Sequence, residues 1–261
     1  MNRIDQKFSQ LKKAKRKAFI SFVTAGDPSL EATHDLVLAF EKAGVDIIEI
    51  GVPFSDPLAD GPTIQASSFR SLQKGTTLVK VLQCVKKLRQ QTEIPIALMM
   101  YYNPIFHYGE EKFVKDAVAC GVDGVIVPDL PPEEAVHLIK FARPADLATI
   151  FFISPTTTKE RMKMVAKAST GFIYYVSIAG VTGARNSVAQ SYVEQIKQAK
   201  KLTDKPICVG FGVSTHQQVK DISKVADGVI VGSAIVNEIV KNAGKKDLVK
   251  KVARFVKKLV N

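Results

Sequence analysis

Glu49 and Asp60 stand eleven residues apart, and both are acids in places that an ordinary core and an ordinary loop would not ask for. Glu49 interrupts Ile47-Ile48-Glu49-Ile50, an apolar run that reads as a strand. A lone carboxylate in a buried strand is costly unless it is paired, protonated or used. The segment after it, Gly51-Val52-Pro53-Phe54-Ser55-Asp56-Pro57-Leu58-Ala59-Asp60-Gly61, is a proline-broken loop that returns two more carboxylates. A structural Glu bonded to a neighbouring strand is the plain alternative. The early return of a second acid favours function. Two acids in different settings, one on a strand and one on a loop, can hold different protonation states and so move protons.

A second constellation is built from glycine. Gly210-Phe211-Gly212 and Gly232-Ser233 each follow an apolar run and open a helical pattern, and Gly183 lies in a further small-residue loop. Glycine lets backbone approach closely, and the amides of a helix N-terminus bind an anion without a charged side chain. One Gly-Phe-Gly alone would equally be a tight turn. With Gly232-Ser233 and Gly183 beside it, a phosphate site is the better reading.

The elements that must position these groups alternate along the chain. Short β-rich runs cover 19–24, 46–50, 95–101, 124–127, 148–153, 172–177, 206–209 and 228–231. Helical patterns lie between them at 30–42, 78–91, 110–119, 132–142, 159–168, 189–200, 217–224 and 233–242. Continuous Val/Ile strands, each followed by a helix, imply a parallel sheet covered on its outer face. A degenerate repeat supports this: Ala43-Gly44-Val45-Asp46, Cys120-Gly121-Val122-Asp123 and Val225-Ala226-Asp227 each lead into a strand. Eight such units in one chain of 261 residues predict an α/β fold, a single (β/α)8 TIM barrel spanning 1–261. A doubly wound open sheet is the competitor, though it uses fewer strands. The extra N-terminal helix, with Ile4, Phe8 and Leu11 at helical spacing, is expected to cap the barrel bottom. In a barrel the loops after the strands carry the chemistry, and Glu49, Asp60 and the glycines all fall there.

Composition narrows the rest. Hydrophobic residues at 46% and charged residues at 24% are ordinary for a globular chain, and no apolar run is long enough to span a membrane. The first apolar segment, 18–23, is too short for a signal-peptide core, so a cytoplasmic chain is expected. Three distant cysteines and four histidines without ligand spacing predict no disulfide framework and no metal. The net charge of +12 gathers in lysines near both ends; at 248–259 they form the outer face of an amphipathic helix. Without interleaved aromatics or a recognised module, this is read as solvated surface and not as a nucleic-acid interface. It can help draw in an anionic substrate.

On these residues the chain resembles the tryptophan synthase α-subunit family along essentially its whole length. The block from Ile48-Glu49-Ile50-Gly51 through Ser55-Asp56-Pro57-Leu58-Ala59-Asp60-Gly61-Pro62 is close to diagnostic. Tyr102-Asn103-Pro104, Pro128-Asp129-Leu130-Pro131, Ser154-Pro155-Thr156-Thr157 and Gly180-Val181-Thr182-Gly183 follow in the family's order. Ser154 where Ala is common, and Met100 where Thr often precedes the tyrosine pair, are departures that touch no catalytic role.

The resemblance implies retro-aldol cleavage of indole-3-glycerol phosphate to indole and glyceraldehyde 3-phosphate, a lyase step of tryptophan biosynthesis. It implies Glu49 as the general acid–base, with Asp60 holding the indole N–H. Phe22, Ile64, Leu98, Tyr101 and Val127 are expected to sandwich the indole, with Tyr174 near Glu49; barrel core is the plain alternative for each. Phosphate is expected on Gly183, Gly212, Gly232 and Ser233, and Thr182 is expected to orient Asp60 when loops 53–60 and 179–187 close. The implied partner is a β subunit in an α2β2 heterotetramer. That partner carries the pyridoxal phosphate, so no cofactor is expected in this chain. Pro53, Phe54, Asp56, Asn103 and Pro104 are the expected interface, as exposed turns beside the active face. Rival readings are a stand-alone lyase of the same reaction, another phosphate-binding barrel enzyme, and a non-catalytic activator of the β subunit.

Overall fold

The chain was analysed as a computed structural model that describes residues 1–176, 185–210 and 212–261, except for the side chains of 185–192. Nine parallel strand segments are described: β1 (Ala18–Thr24), β2 (Ile47–Gly51), β3 (Ile96–Met99), β4 (Gly124–Ile126), β5 (Ala148–Ile150), β6 (Phe152–Ile153), β7 (Ile173–Val176), β8 (Ile207–Gly210) and β9 (Gly228–Val231). They pair in the order β5-β4-β3-β2-β1-β9-β8-β7-β6. Since β5 and β6 are separated only by Phe151, the two ends of this order are one strand, and the sheet closes. β5 pairs with β4 and β6 with β7, so the expected run 148–153 is a single stave broken where it changes partners. The result is a (β/α)8 TIM barrel.

The helices are α1 (Arg3–Lys13), α2 (Leu30–Lys42), α3 (Pro62–Gln73), α4 (Leu78–Leu88), α5 (Tyr102–Tyr108) and α6 (Glu110–Cys120), then α7 (Val136–Ala142), α8 (Lys159–Ala168), α9 (Arg185–Lys200), α10 (His216–Ser223), α11 (Ser233–Asn242) and α12 (Leu248–Val260). Most follow the apolar spacing. Three differ from expectation in length: α4 stops at Leu88, 132–135 form turns before α7, and α9 begins at Arg185, four residues early. Two others, α3 and α5, lie where no helix is expected from the sequence.

Helix α1 closes the bottom of the barrel, as its spacing predicts. Asn2 caps it, accepting from the Ile4 amide and donating to the Asp123 and Asp146 carbonyls. Ile4, Phe8 and Leu11 are buried against the inward row Ile20, Ile47, Ala97, Ile126, Ile150 and Phe172. Each such side chain contributes roughly 1.5–3 kcal/mol by leaving water.

The repeated Asp has a structural reason. Asp46, ahead of β2, accepts from the Phe19 amide of β1, and Asp123, ahead of β4, accepts from the Ile96 amide of β3. Asp227, ahead of β9, accepts from the Ile207 amide of β8. Each staples its strand to the neighbour and is paired with cations: Arg16 on Asp46, Arg3 and Arg89 on Asp123, Lys17 and Lys200 on Asp227. Part of the lysine- and arginine-rich N-terminal segment therefore neutralises the bottom of the barrel.

Candidate active site

At the other mouth Glu49 and Asp60 have no ion pair among the described residues. Glu49 is fully buried, and neither carboxylate oxygen has a hydrogen-bond partner among the described residues. Burial pushes its carboxyl up to about 8, so at neutral pH it holds a proton. It lies beside Phe22 of β1 and Ala97 of β3 in the strand register, facing the barrel axis.

Asp60 sits on the β2–α3 loop, half-buried, directly before the Gly61 cap of α3. The Tyr101 hydroxyl donates to its carboxylate at 3.1 Å and accepts from the Ala59 amide at 2.9 Å. Desolvation raises Asp60 to about 6, and the Tyr101 bond opposes that rise. Phe54 stacks on the Tyr101 ring at 5.3 Å, so one aromatic pair braces the loop that carries Asp60. Tyr174 of β7 is buried on the inward side of the barrel. Its phenol is pushed well up by desolvation, with Glu49, Cys208 and Asp60 adding to that.

Two glycines make room for the rings. A Cβ at Gly51 would come within 2.5 Å of the Phe22 ring, and one at Gly210 would overlap the Tyr174 hydroxyl. Phe22, Ile64 and Val236 form a small apolar wall with Met99 against it.

Leu98 and Val127, expected on that wall, are corrections. Glu49 and Gly51 face inward and register with Ala97 and Met99, so Leu98 points the other way. Leu98 and Val127 pack in the outer layer between barrel and helices, while Met99 and Ile126 face inward. A one-residue shift of phase on a strand exchanges its two faces. Val236 is not expected from the strands because it lies on a helix, one turn after Gly232.

The glycine loops differ in how their helices begin. Helix α10, after β8, carries its own capping box through Thr215 and Gln218. Helix α11, after β9, starts at Ser233 with Gly232 as cap and no side-chain capping bond. Its first-turn amides therefore face the mouth free of side-chain acceptors, and Gly232 stands against Phe22. Gly212 has φ +68, a left-handed conformation that favours glycine. Phe211, Thr182 and Gly183 lie outside the described residues, as does the expected lid 179–187 up to residue 184; 185–187 belong to the backbone of α9.

Around the rim, Asp56 and Asn103 are exposed, and Phe54 and Pro104 are half-buried. Pro53 is buried, contrary to the expectation of an exposed turn, because the chain leaves β2 still inside the wall. Asn103 and Pro104 lie in the first turn of α5, where a proline's missing N–H costs nothing. Asp129 from the β4–α7 loop accepts from the Tyr102 amide and caps that helix. Leu58 (93% exposed) and Phe106 (68% exposed) add apolar surface to the same rim.

The fold agrees with those of known proteins of similar sequence. Residues 8–261 match the family described as tryptophan synthase alpha chain. A tryptophan synthase alpha chain of Geotalea daltonii is 54% identical over 246 residues, covering 94% of this chain and 93% of that one. One from Thermoanaerobacter sp. is 47% identical over 259 residues, covering 99% and 98%. Among solved structures, tryptophan synthase subunit alpha from Legionella pneumophila superposes with a TM-score of 0.92 at 38% identity, covering 99% and 97%. A structure of the tryptophan synthase α2β2 complex from Pyrococcus furiosus has a chain that superposes with a TM-score of 0.87 at 38% identity, covering 93% and 97%. With a family match over nearly every residue and an acid pair in the mouth of the matching fold, the chain belongs to the tryptophan synthase alpha chain family.

Proposed function

We propose that this chain, acting as one barrel domain over 1–261, is a carbon–carbon lyase. It cleaves indole-3-glycerol phosphate to indole and glyceraldehyde 3-phosphate. The observation that carries this reading is the fully buried carboxyl of Glu49, which has no hydrogen-bond partner among the described residues and faces the barrel axis at the mouth that also holds Asp60. Protonated Glu49 delivers its proton to the indole carbon that bears the glycerol chain, and the ring becomes a cation. Asp60, ionised, accepts the indole N–H and stabilises that cation. The Glu49 carboxylate then takes the proton of the adjacent glycerol hydroxyl. The C–C bond breaks as the C=O forms, its electron pair returns to the ring, and Glu49 ends as it began.

Phe22, Ile64, Met99 and Val236 supply the apolar wall for the indole, with Tyr101 holding Asp60. The phosphate is bound at the α11 N-terminus by the Gly232 and Ser233 region, and Gly212, Gly183 and Thr182 are assigned to the same end of the substrate by family position. The product indole passes to a β subunit in an α2β2 assembly. The rim of Phe54, Asp56, Leu58, Asn103 and Phe106 is the docking face. Pyridoxal phosphate belongs to that partner's half of the reaction, and no residue here is assigned to it. The reaction runs in the cytoplasm.

Indole release from indole-3-glycerol phosphate, measured with and without the β subunit, tests the reading. Slow release alone and faster release with β is the expected result. Equal rates in both arms would make this a stand-alone lyase, and no indole in either would refute the proposal.

A further inference from the structure

Helix α3 carries Asp60 at its start, yet its core-facing side is nearly without apolar residues. The buried positions are Ile64, Ser67, Ser68 and Ser71. What holds it is polar, and most of it converges on the turn after β1. Asp27 is buried there at 5% exposure. Arg70 donates to both Asp27 carboxylate oxygens, Nε at 3.1 Å and Nη2 at 2.6 Å. The Ser67 hydroxyl donates to the second of those oxygens at 2.6 Å. The Ser71 hydroxyl donates to the Ala25 carbonyl at 2.5 Å, and the Lys74 ammonium donates to the Pro28 carbonyl.

At its other end the helix is tied to Asp60. The Gln65 side-chain amide donates to the Asp60 carbonyl at 2.8 Å. The helix is stiff from Pro62 to Arg70, roughly 12 Å at 1.5 Å per residue, and Asp60 stands two residues before its start. A planar guanidinium held by two bonds fixes direction as well as distance, which a lysine ammonium cannot do.

We propose that Asp27 and Arg70 are positioning residues for Asp60, their bidentate pair locking α3 to the end of β1 and so setting where the Asp60 carboxylate meets the substrate. This rests on the reading of Asp60 as the group that holds the indole N–H. A misplacement of about 1 Å at a reacting centre can cost up to ~10²-fold in rate. Arg70→Lys keeps the charge, so Asp27 is not left as a bare buried anion, but it loses the fork.

The test is a double-mutant cycle on the full chain. Single-turnover indole release, KM and Tm are measured for the wild type, Arg70→Lys, Asp60→Asn and the double variant. Arg70→Lys should lower kcat by roughly 10–10²-fold with KM little changed. In the Asp60→Asn background the same substitution should leave the rate where it was, because the group it positions is gone. A merely structural role gives the same fold-loss in both backgrounds, and that result overturns the proposal. Full kcat in Arg70→Lys overturns it too. If Arg70→Lys does not fold, Ser67→Ala is carried through the same cycle with the same two outcomes. Absence of indole from the wild type, or full turnover by Asp60→Asn, would instead remove the underlying reading of Asp60, and the proposal with it.

Discussion

Glu49→Gln separates proton transfer from packing, because the amide keeps size and shape and has no proton to cycle. The structure sets two magnitudes. Burial lifts Glu49 from its ordinary 4.5 to about 8. Between those values the unfolded chain has released the proton while the folded chain still holds it. The unfolded state binds fewer protons, so wild-type stability falls as pH rises through that window. From pH 5 to pH 8 the fall attributable to Glu49 is about 3 kcal/mol, at about 1.4 kcal/mol per unit. For a chain of this size that is roughly 6–12 °C in Tm. Glutamine does not titrate, and the fixed cost of its buried amide cancels between the two pH values. Scanning calorimetry of both proteins at pH 5 and pH 8 should therefore show the variant gaining on the wild type by several degrees at the higher pH. Its kcat should fall by at least the ~10²–10⁴ typical of a lost general acid–base. Substrate affinity should survive, since the phosphate end and the apolar wall are untouched. A variant with normal kcat, and a Tm difference that does not change with pH, would mean that Glu49 is an ordinary structural residue, and the mechanism would be wrong.

The same values predict a bell-shaped kcat/KM profile. Turnover should rise as pH passes about 6, where Asp60 ionises, and fall past about 8, where Glu49 loses its proton; Asp60→Asn should remove the acid limb, and a flat profile would contradict the assignment. Ser233→Asp places a like charge at the uncapped start of α11 and should raise KM strongly with the fold intact by circular dichroism; an unchanged KM would move the phosphate elsewhere. Met99→Ala should weaken substrate binding with a small stability loss, whereas Leu98→Ala should cost about 2–5 kcal/mol of stability in denaturant titrations and leave KM near wild type. The opposite pattern would restore Leu98 to the pocket.

The barrel was legible because its strands are continuous Val/Ile runs and its long helices keep their apolar spacing. What the sequence hid follows from two physical causes. Helix α3 has no apolar signature in the sequence because its buried face is mostly serine, satisfied by Asp27 and a carbonyl, while its Phe69 is exposed. Hydrophobic periodicity has nothing to detect there. The wall positions failed for another reason. Strands β3 and β4 are buried on both faces, so no polar–apolar alternation marks which residues look inward. Leu98 and Val127 are as apolar as Met99 and Ile126, and only the registers with Glu49 and Gly51 set the phase. Glu49 and Asp60 stand out in the sequence because their types are unusual where they stand; the inward phase is missed by one residue where neighbours are chemically alike.

The buried acids differ in what they are paired with. Asp46, Asp123 and Asp227 each precede a strand, each accept a backbone amide, and each meet an arginine or lysine. Asp123 is nearly as buried as Glu49, at 3% against 0%. It accepts from Arg3, Arg89 and the Ile96 amide, and removing one of those cations would leave a charge with too little compensation. Glu49 meets no hydrogen-bond donor among the described residues, so the low dielectric around it keeps it protonated instead of ionised. Burial is common to the two acids; the difference lies in the partners. A buried acid with its bonds satisfied holds strands together, and a buried acid with none keeps a proton that it can give to a substrate.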